Sequence, residues 1–510
     1  MSNPRRPYPI ELHQANARQV PVALRAEQLR EFLARGFLTL DSQLPSNFHR
    51  HLFERVQNLD KGSGHQGNNL LPLMPELSEL FTDPVIAGAL ESVLGPGYLM
   101  HPHRALHSNP TGSEAQPFHK DSYWGYTRRV RNHRPWWVML MYYPQDTPVF
   151  LGPTSVMDGS QHLHQHPEYR CREVPASCRA GQFVLIHYDI WHRKMKNLRD
   201  EDRYMLKFEF TRTVAPLPSG RKTKSRWQVP KQRPGIDLRP IWRSSWHWLA
   251  GEAAPLTKEG KLEQWLAELD SIDEPDGINA GYFAASHGEA AVAPLLAALE
   301  TNPAPNSNQK SYADDGSQWQ QDHVLRNACH GLVSIGRPAL QGLTQTLTNG
   351  NARARKHAAF ALGELSVANT TSCHALVAAL QDTDVHVRIA AAEALGIGAM
   401  PKARWRSVGE ALVQALDDGD SEVRFCATLA LVRLVSKAQP INKKRSQKQS
   451  PNFDYLIEPL GNALFDSNRY VSAHAADALE RIGTPGAFEH LLPFLRNARW
   501  CAQTSNERPF

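Results

Sequence analysis

From about Ala285 onward the chain repeats itself, and that repetition leaves few architectures open to its second half. Four units, Leu343–Leu365, Ala375–Gly396, Ala411–Leu434 and Leu460–Gly483, each read as a helix ending in Leu, a short polar turn, and a second helix rich in Ala and Leu. Three place an arginine at the start of the second helix, at Arg355, Arg388 and Arg424, a period of roughly 33 to 36 residues. The fourth has Val471-Ser472 there, displaced by an insertion, Lys437 to Pro451, whose Lys443-Lys444-Arg445 reads as a solvated loop. A fainter earlier unit runs from Ala291 to Glu300, then through a polar insert, Thr301 to Gln321, to Val324–Gly336. The turns Gln381–Asp384 and Asp417–Asp420 offer side-chain oxygens that can cap the helices behind them. Helical pairs of this size bury their apolar faces only against neighbours, so a stacked α-α solenoid is predicted.

The first part of the chain has a different grammar. Up to about Arg212, short β-rich runs such as Trp136–Tyr143 and Phe183–Ile186 alternate with Gly and Pro, which predicts an all-β sandwich or barrel with flanking helices. Ala26–Arg35 reads as a helix stopped by Gly36 and followed by a strand at Phe37–Leu40. Between the halves, Pro216–Trp248 is rich in Pro, Trp and basic residues. A free linker has no use for Trp227, Trp242, Trp246 and Trp248, so the segment reads as an arm closing over the first domain. The expected division is a tail at 1–22, a β domain at 23–215, a connecting arm with helices at 216–284, repeats at 285–497 and a tail at 498–510.

With 510 residues the chain is long enough for several domains. A net charge of +6 is too weak to argue for nucleic acid, and there is no apolar run long enough to span a bilayer and no apolar segment behind Arg5 and Arg6. A cytoplasmic protein is the default expectation. Cysteines at 171, 178, 329, 373, 426 and 501 form no CxxC, so they read as packed thiols rather than a disulfide or zinc framework.

His119-Lys120-Asp121, with His192 and Arg203 downstream, carries the chemistry. Two imidazoles and one carboxylate suit Fe(II) held on one face with positions left open, and a following arginine offers a planar fork for a dicarboxylate such as 2-oxoglutarate. Residues i and i+2 of a strand share a face, so His119 and Asp121 can reach one metal together. In Arg203–Phe210 the alternation puts Tyr204, Leu206, Phe208 and Phe210 on one side and Arg203 on the other. HxD alone is a weak signal among 23 histidines, and His187-Tyr188-Asp189 with His247 is a second copy. That rival has only Lys258 and Lys261 beyond its last histidine, so the first triad is preferred. Arg212 is the reserve clamp. The basic run Arg128–Arg134 after HxD could meet an anionic substrate, but a solvated loop is the simpler reading. The histidines at 101, 103 and 107 and at 162, 164 and 166 read as surface or pocket-lining rather than a second metal site.

Taken in order, His119-x-Asp121, the run Leu151–Ser160, the segment Ile186–His192, and Asn197 with Arg203 resemble the phytanoyl-CoA dioxygenase family of Fe(II)/2-oxoglutarate oxygenases. Leu29–Leu40 is similar to the family's opening helix and strand, and the resemblance spans roughly Ala23 to Arg212. It implies a double-stranded β-helix (jelly roll), iron held by His119, Asp121 and His192, the distal carboxylate of 2-oxoglutarate on Arg203, and a cosubstrate-pocket position at Trp137. The implied reaction uses O2, converts 2-oxoglutarate to succinate and CO2, and oxidises an unactivated C–H bond of a small molecule. Asp121 implies hydroxylation or desaturation rather than halogenation, since halogenating relatives are expected to lack that carboxylate. The family's Gly-Ser-His turn reads Gly159-Ser160-Gln161-His162 here, and Leu151 stands where Asn is usual, which puts substrate loops in question more than iron binding.

The repeats resemble a HEAT-type array, which implies a concave protein-binding surface. HEAT-type hydroxylases with a di-iron centre use repeated His-Glu dipeptides, and none occurs in this chain. Two functional readings follow: an oxygenase assisted by its solenoid, or an inactive oxygenase fold kept as an interaction module. No residue selects a substrate.

Overall fold

The computed structural model describes residues 20–63, 67–121, 128–168, 170–217, 226–301, 316–438 and 451–500. The loop 439–450, most of the insert 302–315, part of the arm (218–225) and Cys501 lie outside the described residues, and with them the reading of Lys443-Lys444-Arg445 as a solvated loop.

Among the described residues, eight strands build two antiparallel sheets: β1 (Phe37–Asp41), β2 (Leu99–Asn109), β3 (Trp137–Tyr142), β4 (Thr154–Met157), β5 (Glu173–Pro175), β6 (Gln182–His187), β7 (His192–Lys194) and β8 (Arg203–Thr211). The larger sheet has the order β1-β6-β3-β8-β2, and the smaller is β5-β4-β7. Leu140 of β3 stands opposite Leu185 of β6 on one side and Phe208 of β8 on the other, so the central strands present one continuous apolar face. That face, with Val138, Tyr142, Phe183, Leu206 and Phe210, packs on Leu52, Val56, Ile86 and Leu90 from the helices Ser46–Ser63 and Pro84–Leu94. The opposite face, with Trp137, Met139, Met141 and Tyr143, joins a second core.

The opening helix runs Ala26–Arg35 as the periodicity predicts, and Gly36 ends it at φ 82°. A side chain there would meet Gln161 Oε1 at 2.6 Å, so both the left-handed turn and the close approach call for glycine. The arm folds back onto this helix. Trp242, Trp246 and Trp248 of the helix Arg239–Leu249 are buried, and the Arg30 guanidinium lies 4.8 Å from the Trp246 ring.

In the C-terminal half, the second helices of the repeats, Ala352–Leu365, Val385–Ile397, Ser421–Ala438 and Arg469–Ile482, stack side by side as an inner row. Asp384 and Asp420 accept from backbone N–H groups in the first turns behind them, as the polar turns suggest. The repeat arginines bridge to the next unit: Arg355 to Asp382, Arg388 to Asp418 and Arg424 to Asp466, each fork-on at 2.7 to 3.1 Å. A helix Gly316–Ile335 precedes them and packs on Ala352–Leu365.

The inner row lies against the β domain rather than facing open solvent. Trp136, Trp137 and Met139 belong to the same apolar cluster as Trp248, Leu332, Phe360, Phe425 and Val432. The basic run 128–134, read from sequence as a solvated loop, is instead sandwiched at this junction, with the Arg129 side chain 2% exposed. Local sequence shows only the positive charges, because the carboxylate partners of Arg128, Arg129 and Arg134 lie more than 200 residues downstream. The histidines at 101 and 103 are likewise buried, against Tyr470 and His474 of the last inner helix.

Candidate metal centre

His119, Asp121 and His192 come together, with their ligand atoms all within 4.8 Å of one another, and they are the one such group among the described residues. His119 is not in a regular strand. It forms a single antiparallel bridge with His192, the first residue of β7, through reciprocal backbone hydrogen bonds of 2.9 and 3.0 Å. This bridge sets the two rings 4.5 Å apart and brings Asp121 beneath them.

Each side chain is oriented by a second contact. His119 Nδ1 lies 3.0 Å from the Pro117 carbonyl and His192 Nδ1 3.0 Å from that of Ile190, so Nδ1–H donates and Nε2 is left as the free lone pair. Both Nε2 atoms face Asp121 Oδ1, at 3.9 and 3.7 Å. The other carboxylate oxygen, Oδ2, accepts from Lys207 Nζ at 2.7 Å. The two oxygens are thereby divided between roles, one toward the imidazoles and one toward a fixed ammonium. Burial alone would raise the Asp121 carboxyl, but Lys207 and the imidazoles outweigh it and hold it well below the usual carboxylate range. Burial lowers His192 to about 4, so its ring is neutral at physiological pH, as a ligand must be.

Lys207 and the next residue on that face, Glu209, were not singled out from sequence, although the signal was present. The alternation that turns Tyr204, Leu206 and Phe208 toward the helices turns Arg203, Met205, Lys207 and Glu209 the other way. Glu209 is fully buried, with His101 Nδ1 at 3.5 Å and Lys207 Nζ at 3.7 Å, and burial raises its carboxyl well above the ordinary range.

Arg203 sits at the start of β8, 1% exposed. Its Nε donates to the Gly152 carbonyl at 3.1 Å and its Nη1 to that of His107 at 3.2 Å. Neither neighbouring acid pairs with it, and Asp202 accepts from the Thr111 N–H instead. Burial lowers the guanidinium to about 10, which leaves it charged. A buried cation held by two carbonyls, with no carboxylate bridged to it among the described residues, has the chemistry to receive an anion. Gly152, at φ 67°, turns its carbonyl to Arg203, and a side chain there would meet the Met195 carbonyl at 2.7 Å. Arg212, the reserve clamp, is committed elsewhere, donating to the carbonyls of Val93 and Val214 and lying 4.9 Å from the Trp248 ring.

Trp137 is buried on the inward face of β3, its ring 5.5 Å from His101 and 6.2 Å from Tyr188. The Gly-Ser turn supports the approach to His192, since Ser160 Oγ accepts from the N–H of Trp191 at 3.0 Å. Gln161, the departure from the usual turn, donates to the carbonyls of Leu33 and Ala34. The rival triad is not assembled: Asp189 is bound by Arg131, and His247 lies 3.6 Å from Glu252. A cleft of about 860 Å³ between the arm and the helix Glu274–Ala285 contains none of the triad residues.

Compared with known proteins, residues 19–205 match the family model described as phytanoyl-CoA dioxygenase (PhyH), and residues 340–404 match that for HEAT repeats. The chain thus carries a segment similar to the phytanoyl-CoA dioxygenase family, followed by one similar to HEAT repeats. No curated protein matches the sequence. Similar solved structures include the non-heme alpha ketoglutarate dependent carbocyclase SnoK of nogalamycin biosynthesis, at 17% identity and TM-score 0.33 over 38% of this chain and 88% of that one. The epimerase SnoN of the same biosynthesis matches at 16% and 0.33 over 40% and 95%. EctD from S. alaskensis, with 2-oxoglutarate and 5-hydroxyectoine, matches at 14% and 0.32 over 41% and 84%. No described helix is long and apolar enough to cross a membrane.

Proposed function

We propose that this chain is a non-haem Fe(II)/2-oxoglutarate-dependent dioxygenase that hydroxylates an unactivated C–H bond of a small molecule. The observation that carries the reading is the triad itself, two Nε2 atoms and one carboxylate oxygen converging with their far sides fixed. The two sheets are read as the jelly roll of such enzymes, within 23–215. Iron would be held by His119, Asp121 and His192, and 2-oxoglutarate would place its distal carboxylate on Arg203, with Trp137 beside it. When bound, the metal supplies oxygen activation coupled to decarboxylation of 2-oxoglutarate to succinate.

The protein's own contribution is positional and electrostatic. Lys207 keeps Asp121 ionised and turned so that a single oxygen faces the metal position. The Pro117 and Ile190 carbonyls fix both imidazole tautomers. Arg203, dry and already charged, needs no reorganisation to take a carboxylate. The retained carboxylate at Asp121 favours hydroxylation over halogenation.

A second reading, an inactive oxygenase fold serving with the HEAT array as an interaction module, rests on the repeats alone. Because the inner row is covered by the β domain of the same chain, a protein partner would have to use the outer helices. Anaerobic titration with Fe(II) and 2-oxoglutarate separates the two. The expected result is a weak visible charge-transfer band, absent in His119→Ala. A well-folded parent protein without the band would favour the second reading.

A further inference from the structure

Three glutamates reach the basic loop from three successive repeats. Glu364 accepts from Asn132 Nδ2 and Trp136 Nε1, both at 2.7 Å, and pairs with Arg134 at 3.0 Å. Glu393 lies 3.3 Å from Arg129, and Glu422 takes Arg129 at 3.0 Å and Arg128 at 3.2 Å. The glutamates are 29 residues apart, whereas the repeat arginines are 33 and 36 apart. The shortfalls of four and seven residues are close to one and two helical turns, so each glutamate stays on the inward face while its position slides along successive helices. The loop therefore crosses the inner row diagonally, and the array is cut to receive it.

The same loop is tied to the metal centre. Arg131, between the two anchored ends, pairs with the Asp189 carboxylate in the turn that leads to His192. The Asp189 carbonyl in turn accepts from Lys120, the residue between His119 and Asp121. One turn thus collects the loop, the HxD segment and the approach to the third ligand.

We infer that the HEAT array acts in cis as an organiser of the metal centre: Glu364, Glu393 and Glu422 set the loop 128–134, and the loop through Arg131 and Asp189 sets the spacing of the three ligands. These are positioning residues, and the inference rests on the metal-centre reading above. The array is then part of the oxygenase rather than a separate docking platform.

Co(II) titration of the full-length protein, read by its ligand-field absorption, tests this without turnover. The double variant Glu393→Gln/Glu422→Gln neutralises the two carboxylates that face Arg129 and is expected to weaken Co(II) binding by about 10-fold to 100-fold, the range of outer-partner losses, with altered band positions. Arg131→Gln cuts the link while leaving the three array glutamates in place and is expected to do the same; it decides the matter if the double variant does not fold. Arg388→Gln, which breaks an inter-repeat pair, is expected to leave affinity and spectrum unchanged. Parental affinity in folded Arg131→Gln, or an equal loss in Arg388→Gln, overturns the inference. If the parent protein itself shows no site for Co(II), the metal-centre reading fails first, and this inference goes with it.

Discussion

The inner helices carry two sets of arginine–carboxylate pairs that look alike in distance and differ in depth. In the inter-repeat set, the Arg388 and Asp418 side chains keep 20% and 12% exposure, at the rim between units. In the junction with the β domain, Arg129, Glu393 and Glu422 keep 2%, 7% and 4%. Water can relax around a broken rim pair, so such pairs contribute little on their own. In the junction a lost partner leaves a dry charge that water cannot easily reach, so these pairs enforce one arrangement more than they add stability.

The sharpest way to break that comparison is Arg129→Ala, which takes the guanidinium from buried Glu393 and leaves buried Glu422 with Arg128 alone. It should cost about 3–5 kcal/mol, measured by denaturant unfolding. Burial pushes Glu422 up to about 7, so that carboxyl can take up a proton, and the loss should be at the lower end in mildly acidic buffer. A cost under about 1 kcal/mol would place the junction with the rim pairs.

Arg203 is a third case, a buried guanidinium with backbone carbonyls in place of a carboxylate. Arg203→Lys keeps the charge and loses the fork, and should raise the dissociation constant for 2-oxoglutarate about 10-fold or more in calorimetric titration.

A pH scan addresses the buried imidazoles. Burial lowers His187 to about 4 and His357 to about 3, and holds His133 well below its ordinary value. The unfolded chain protonates these rings near pH 6.5 while the folded one does not, so it binds more protons below that pH. Their contribution is complete above about 6.5 and is lost as pH falls toward 4. Thermal unfolding should show a loss on the order of 1 kcal/mol for each such ring between pH 7 and 5.5. The smallest effect is expected of Arg388→Gln, under about 1 kcal/mol.

The His119/Asp121 pair, the inward side of the strand that carries Arg203 and the repeats were legible from sequence because each is a local pattern: a two-residue spacing, a strand alternation, a fixed period; His192, 71 residues beyond Asp121, was legible only through the order of the motifs. Lys207 and Glu209 were legible by the same alternation that places Arg203, but nothing in the sequence said that the inward face reaches Asp121. The loop 128–134 was not legible. Seven residues with four arginines describe a solvated turn until Glu364, Glu393 and Glu422 are known to stand over them. The opening helix could be read to its glycine, whereas the role of Gly152, whose carbonyl anchors Arg203, depends on chain segments 43 and 51 residues away.

The 29-residue spacing of those glutamates also bears on how such a molecule could change over generations. Solenoids ordinarily grow and shrink by gaining or losing whole units, since each unit contacts only its neighbours. Here an added or deleted unit between Glu364 and Glu422 would slip one acid out of step with the loop 128–134 that these acids hold. The array is therefore expected to keep its number of units across descendants, drifting in its outer helices while this tract is inherited as a block.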